Sequence, residues 1–288
     1  MKPFLLQVAV SPEQSFAVRE NVNPLFYNQW HYHAELELTY VEQGAGLRFV
    51  GDSIQNFEAG DLILLGSNLP HFWRSENAAS SETDCQAMVI QFSATFWGET
   101  FLNLPELTSL KTLFTAARRG IRVQGKTQEQ VYNLMQTLAQ ATGVERILML
   151  LQILQLIADS TDVSYLSSAG FNIPLNETDT RRIARIYAYT LANFSDKIKL
   201  ADVAAVAHLT PHAFCRYFKT HTRKTYTQFL LEIRISHACK LLMADKLSIG
   251  QICLESGFQN FSNFNRYFKA ITKLTPQNYY KLHCKGLS

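Results

Sequence analysis

A two-domain α+β fold is predicted for this chain of 288 residues. It has a β-rich first part with a helical layer, followed by an all-α part with tandem helix-turn-helix units. Three observations predict it. Short apolar or alternating runs between turn signals fill residues 1–98. The hydrophobic period changes to that of a helix after residue 102. The tetrapeptide RYFK occurs twice in the C-terminal part, inside units that align over about thirty residues.

The strand-like runs are LELTYVE, LRFVG, SIQNF, DLILLG and CQAMVIQF, separated by turns at Gln43-Gly44, Gly51-Asp52 and Ala59-Gly60. This spacing predicts an antiparallel sandwich or barrel over 1–98. Residues 99–160 carry three helical stripes. The first is Leu110, Leu113 and Phe114. The second is Val131, Leu134, Met135 and Leu138. The third, Ile147, Leu150, Leu151, Leu154 and Ile157, suits either a dimerisation surface or a cover for the barrel. Residues 161–176 contain Ser, Gly and Pro without a period and read as a linker. Residues 177–288 read as helical throughout.

Charge divides at the same place. Residues 1–176 hold ten Lys/Arg against seventeen Asp/Glu, and residues 177–288 hold seventeen against seven, so −7 and +10 make the net +3. An acidic first part joined to a basic second part is expected where only the second meets a polyanion. No apolar run reaches the roughly 18 residues of a membrane span, and the N-terminal run is too short for a signal peptide. The five cysteines, Cys85, Cys215, Cys239, Cys253 and Cys284, are irregularly spaced and read as buried reduced thiols. A cytoplasmic protein is expected.

Within 177–288, Leu200, Val203, His208 and Leu209 correspond to Ile249, Ile252, Gly257 and Phe258 at an offset of 49. Phe214 and Arg216 to Lys219 correspond to Phe264 and Arg266 to Lys269 at an offset of 50. In the second copy, Ser248 caps a short helix over 249–256 and Gly257 supplies a left-handed turn. Asn260 or Ser262 caps a helix to about residue 271. Phe264, Phe268 and Ile271 point inward on it. In the first copy, a helix over 200–207 is followed by Thr210 as cap and Pro211 at the first helical position. Residues 226–243 form a long amphipathic helix between the copies. Two short helices with basic, polar side chains on the second fit a DNA major groove.

The stretch SIGQICLESGFQNFSNFNRYFKAITKLTPQNYYK resembles the signature of the AraC/XylS family of bacterial transcription regulators, over about residues 178–284. The resemblance implies that helices near 210–221 and 261–271 enter successive major-groove segments. By position, the first offers His212, Cys215 and Arg216, and the second Phe261, Ser262, Asn265 and Arg266. Arg suits guanine and Asn suits adenine; Lys219 and Lys269 suit phosphates. Two departures stand out. His208 occupies a turn position where Gly is usual, and Cys215 is a poor hydrogen-bonding reader.

Near the N-terminus, residues 30–40 read WHYHAELELTY. His31, His33, Glu37 and Gly44 resemble the first motif of the cupin family of small β-barrels. Gly60-Asp61 and Leu69-Pro70-His71 give a partial second motif, with Gly66-Ser67-Asn68 in place of the usual P-x-G and Ser75 in place of the usual Asn. As one strand, the segment puts His31, His33, Glu35 and Glu37 on one face. Leu36 and Leu38 then lie on the other, under the helices. His31, His33 and His71 are all the histidines of residues 1–176. With Glu37 they suit a divalent metal such as zinc. They equally suit a metal-free pocket in which Trp30, His31, His33, Glu35, Glu37, His71 and Trp73 hold a polar ligand such as a sugar, or a polar cluster satisfied by water. The expected function is a ligand-responsive, non-enzymatic, homodimeric regulator that binds double-stranded DNA and engages RNA polymerase. The rivals are a metal-dependent cupin enzyme fused to a DNA-binding domain and a DNA-binding protein without a ligand.

Overall fold

A computed structural model describes residues 8, 13–22, 30–75, 85–98, 100–169, 171 and 177–284. The chain divides into two compact units, with the boundary in sequence between residues 172 and 173.

In the first unit, strands β1 (Phe16–Val22), β2 (Leu36–Gln43), β3 (Gly46–Val50), β4 (Ser53–Phe57), β5 (Leu62–Leu65), β6 (His71–Ser75) and β7 (Gln86–Phe92) precede helix α1 (Thr108–Ala117). Strand β8 (Ile121–Val123), helices α2 (Gly125–Gln140) and α3 (Val144–Asp159), and strand β9 (Val163–Tyr165) complete it. One antiparallel sheet runs β1-β7-β2-β5-β8-β9 and the other β4-β3-β6. Alternation along the central strands makes two cores. Leu36, Leu38, Leu62, Leu64, Met88 and Ile90 pack under the helices against Leu110, Val131, Leu150 and Leu154. Val41, Ile63 and Leu65 point the other way and meet Val50, Phe57 and Trp73 of the smaller sheet. The space between the sheets is where the site lies.

Several expectations need correction here. Residues 161–176 are not all linker. Val163–Tyr165 pairs with β8, and Leu166 joins the inter-sheet core. The helical region is not separate from the strands, since β8 extends the large sheet. The stripe of Leu150, Leu154 and Ile157 is buried against the sheet, with Ile147 and Leu151 packed beside it. It covers the barrel, and the exposed apolar residues of α3 are Val144 and Leu148. The thiols of Cys85, Cys239 and Cys253 are buried and unpaired, but Cys215 is exposed. Burial pushes Cys85 up to about 11 and Cys239 up to about 12, so neither is a nucleophile at neutral pH.

The second unit contains α4 (Glu177–Asn193), α5 (Leu200–Val206), α6 (Pro211–Thr222), α7 (Tyr226–Met243), α8 (Ile249–Glu255), α9 (Phe261–Thr272) and α10 (Pro276–Cys284). Helix α7 buries residues around much of its circumference rather than along one amphipathic stripe. Tyr226 and Phe229 pack with Phe218 of the first helix-turn-helix. Ile235, Ala238, Cys239 and Leu242 pack with Ile252, Phe264 and Phe268 of the second. Ile271, expected to point inward, is 40% exposed because α9 ends one residue later and its inner face runs out of partners. No helix of the described residues is long and apolar enough to cross a membrane.

Candidate metal centre and nucleic-acid interface

The histidine segment does not run as one strand, as the spacing had suggested. β2 begins only at Leu36. Before it, His31 makes an isolated antiparallel bridge to His71, with backbone bonds of 3.1 and 2.9 Å in the two directions. The parity argument therefore fails between residues 31 and 35, yet the side chains still meet. Strand β2 delivers Glu37 and β6 delivers His71. The bridge draws His31 alongside His71, with ring centroids 4.2 Å apart.

Among the described residues, His31, His33 and His71 each offer a ligating atom, and the three atoms lie within 4.8 Å of one another. All three side chains are buried. The Nδ1 of His71 donates to Leu69 O at 2.7 Å, which leaves its Nε2 as a lone-pair donor facing the cluster. That Nε2 has no hydrogen-bond partner and lies 3.8 Å from Glu37 Oε1. His33 donates from Nδ1 to Glu35 O at 3.0 Å and from Nε2 to Glu37 Oε2 at 2.9 Å.

Two residues that sequence reasoning missed complete the surroundings of Glu37. Gln91 on β7 stands opposite it in register and donates from Nε2 to Oε2 at 2.7 Å. Thr39 donates to Oε1 at 2.8 Å. A lone Gln inside the apolar run AMVIQF was the signal available for Gln91.

Burial works against charge on His33, but the hydrogen bond to Glu37 and its negative charge outweigh it, and the pKa of His33 is raised. Burial likewise penalises the Glu37 carboxylate. The His33 bond and the neighbouring imidazoles outweigh it and hold Glu37 well below the usual carboxylate range. His71 is pushed well below its ordinary value, first by burial and then by His31, so it is neutral. The site is thus a hydrogen-bonded His33–Glu37 pair beside a neutral His71 whose Nε2 lone pair faces the cluster. This donor set fits a divalent transition metal.

The remaining expected ligand residues sit differently. Glu35 is at the margin, its side chain 26% exposed and its Oε2 3.7 Å from His33 Nδ1. Trp73 lies beside His71, ring centroids 5.5 Å apart, and its buried Nε1 has no hydrogen-bond partner. Trp30 packs edge-on against Phe72 at 5.7 Å. Phe72 points to the opposite face of β6 from His71, so Trp30 belongs to the packing of that face.

In the second unit, Thr210 caps α6 by accepting from Ala213 N, with Pro211 at the first position. Asn260 caps α9 by accepting from Asn263 N. Phe214, Phe218, Phe264 and Phe268 are fully buried. The outward faces carry His212, Cys215, Arg216 and Lys219 on α6, and Phe261, Ser262, Arg266 and Lys269 on α9, all exposed. Asn265 is half-buried. Arg266 donates to Tyr267 Oη at 3.0 Å and lies over that ring.

A β-rich unit with a buried polar site, joined to tandem helix-turn-helix units, defines a DNA-binding transcription regulator with a ligand-binding domain. Residues 14–157 match the model of the AraC-like ligand binding domain, and residues 203–281 match a helix-turn-helix domain model. The chain belongs to the AraC family of transcription regulators. It is 21% identical over 271 residues to the uncharacterized HTH-type transcriptional regulator YdeC of Bacillus subtilis, covering 92% of this chain and 90% of that protein. It is 30% identical over 108 residues to the bifunctional transcriptional activator/DNA repair enzyme AdaA of the same organism, covering 37% of this chain and 51% of that protein. ToxT from Vibrio cholerae aligns in structure over 94% of this chain and 100% of its own, at 15% identity and a TM-score of 0.37. The two domain models, rather than that loose structural likeness, define the family.

Proposed function

We propose that the barrel of this regulator binds a divalent transition metal, zinc or a similar ion, at His31, His33 and His71 with Glu37, and that α6 and α9 read successive major-groove segments. The closure of three buried histidine ligating atoms to within 4.8 Å carries the metal assignment. A sugar-sized effector needs a cavity of roughly 300 Å³ or more, whereas nitrogens this close leave room for an ion. The ion would supply the positive charge that the His33 proton supplies in its absence. Near-complete burial of all four side chains, and the regulators among the relatives, support sensing rather than turnover. A second copy of the chain, met through the exposed Val144 and Leu148 of α3, and RNA polymerase are the protein partners proposed. DNA recognition rests on Arg216, Asn265 and Arg266 at base edges, with His212 and Ser262 beside them. Lys219 and Lys269 take phosphates.

Metal analysis of the purified chain tests the site. Zinc titration is expected to give about one ion per chain, and His33→Ala or His71→Ala is expected to remove it. A wild-type chain that takes up no ion contradicts the metal assignment. One ion together with turnover of a substrate contradicts the sensing role.

A further inference from the structure

Among the described residues, three polar side-chain atoms around the histidine site are buried without a hydrogen-bond partner: His71 Nε2, Trp73 Nε1 and Gln91 Oε1. The first is the lone pair that an ion would take. The other two are not used by an ion held on the histidines. Trp73 is 4% exposed and Gln91 2%. A buried polar group left unmet is costly, so two of them beside one site point to a ligand.

Strand geometry aims both side chains into the space that holds the histidines. Trp73 stands two residues after His71 on β6 and shares its face. Their near-perpendicular rings have centroids 5.5 Å apart. Gln91 faces Glu37 in register across β7 and β2. Its amide cannot turn round. Nε2 donates to Glu37 Oε2 at 2.7 Å, and a reversed amide would set oxygen against carboxylate oxygen. Gln91 Oε1 is therefore fixed as an acceptor, and the indole Nε1 of Trp73 can only donate. Arg48, the register partner of Trp73, is committed elsewhere: it pairs with Asp61 and donates to Gln55 Oε1 at 3.0 Å.

Charge narrows the ligand further. Imidazoles ligate as neutral rings. A divalent ion on the three histidines would face one buried carboxylate, Glu37, and keep one positive charge. Glu35 is partly exposed and approaches His33 from the Nδ1 side, which is bonded to a backbone carbonyl. Asp61 is shared between Arg48 and Arg122, so it does not offset that charge. Burying an unbalanced charge is expensive, so a monoanion is favoured there.

We infer that the ion at this site takes, as its exchangeable ligand, a small α-hydroxycarboxylate, with Trp73 Nε1 donating to a carboxylate oxygen and Gln91 Oε1 accepting from the hydroxyl. This inference rests on the metal assignment. A plain carboxylate answers the charge and Trp73 but leaves Gln91 Oε1 unmet. A neutral alcohol leaves the charge unbalanced. Sites built to bond a hydroxyl discriminate against analogues that lack it. Gln91 thus selects the hydroxyl and Trp73 the carboxylate.

The test uses the full chain loaded with Co²⁺, whose visible absorption reports its ligands, as wild type, Trp73→Phe, Gln91→Met and Thr39→Val. Glycolate and acetate are the probes, and they differ only by the hydroxyl. In the wild type, glycolate is expected to shift the Co²⁺ spectrum and to bind about tenfold more tightly than acetate. Gln91→Met is expected to bring the two affinities within about twofold of each other. Trp73→Phe is expected to weaken both about tenfold and keep their ratio. Thr39→Val removes a bond to Glu37 without touching the ligand, and it is expected to keep the ratio too. A ratio lost in Thr39→Val as in Gln91→Met would mean that Gln91 acts only by holding Glu37, and would overturn its selecting role. If Co²⁺ binds and neither carboxylate changes its spectrum, or acetate binds as tightly as glycolate, the inference is overturned while the metal site stands. If Gln91→Met takes up no Co²⁺, Trp73→Phe decides: unchanged affinity for both carboxylates there overturns the inference. A wild type that takes up no Co²⁺ overturns the metal assignment, and the inference with it.

Discussion

The two helix-turn-helix units share a template and differ at the turn. In both, the second helix buries two phenylalanines, Phe214 and Phe218 or Phe264 and Phe268. In both it ends on a left-handed basic residue, Arg223 at φ 59° or Lys273 at φ 66°. The preceding threonine hydroxyl donates 2.8 Å to the phenylalanine carbonyl in each case. At the turns, His208 takes φ 53° and Gly257 takes φ 78°. A Cβ on Gly257 would stand 2.6 Å from Phe194 O and 2.9 Å from Ser195 O, whereas His208 is exposed. Arg234 fixes this segment from both sides of Ser195, donating from Nε to Phe194 O and from Nη2 to Asp196 O, each at 2.8 Å. The first turn tolerates a side chain because it faces solvent. The second requires glycine because backbone packs on it. The reading faces differ too: Cys215 and Arg216 in the first correspond to Asn265 and Arg266 in the second. Tyr217 lies under Arg182 and against His221, whereas its counterpart Tyr267 holds Arg266 itself.

The largest effect that can break this comparison is at the turn. Gly257→Val combines a disfavoured φ with overlap against backbone oxygen, and about 3 kcal/mol or more of lost stability is expected, read as a fall in Tm. A loss below about 1 kcal/mol would deny the tight second turn. Next comes the reading face. Arg266→Ala is expected to cost about 1–3 kcal/mol of preference for selected over random DNA. Arg216→Ala, beside the poor reader Cys215, is expected to cost less. Equal weakening on both DNAs would make Arg266 a phosphate contact. The smallest effect sharpens the contrast: His208→Gly is expected to stabilise by about 1 kcal/mol or less, because it relieves φ without opening a cavity. Marked destabilisation would mean that His208 packs in the folded unit.

The helical half was legible because burial follows a 3.6-residue period and the repeat fixes the frame. It failed where one face meets two partners, as in α7, or none, as at Ile271. The β half was legible in its strand runs and in the motif histidines. It misled at residues 31–35, where an isolated bridge rather than a strand aims the side chains. Gln91 was hidden because it reaches Glu37 across a strand pairing 54 residues away in sequence. The segment 166–168 read as linker because Leu166 is its one apolar residue, while Ser167 and Ser168 are held by hydroxyl and backbone hydrogen bonds.

Control of DNA binding through the histidine site is tested most directly by one titration. DNA affinity of the full chain for its selected fragment is measured with zinc and with a chelator, for wild type and His71→Ala. The expected result is a change of about tenfold in the wild type and none in His71→Ala. The same affinity in all four conditions, with both proteins folded, would contradict it.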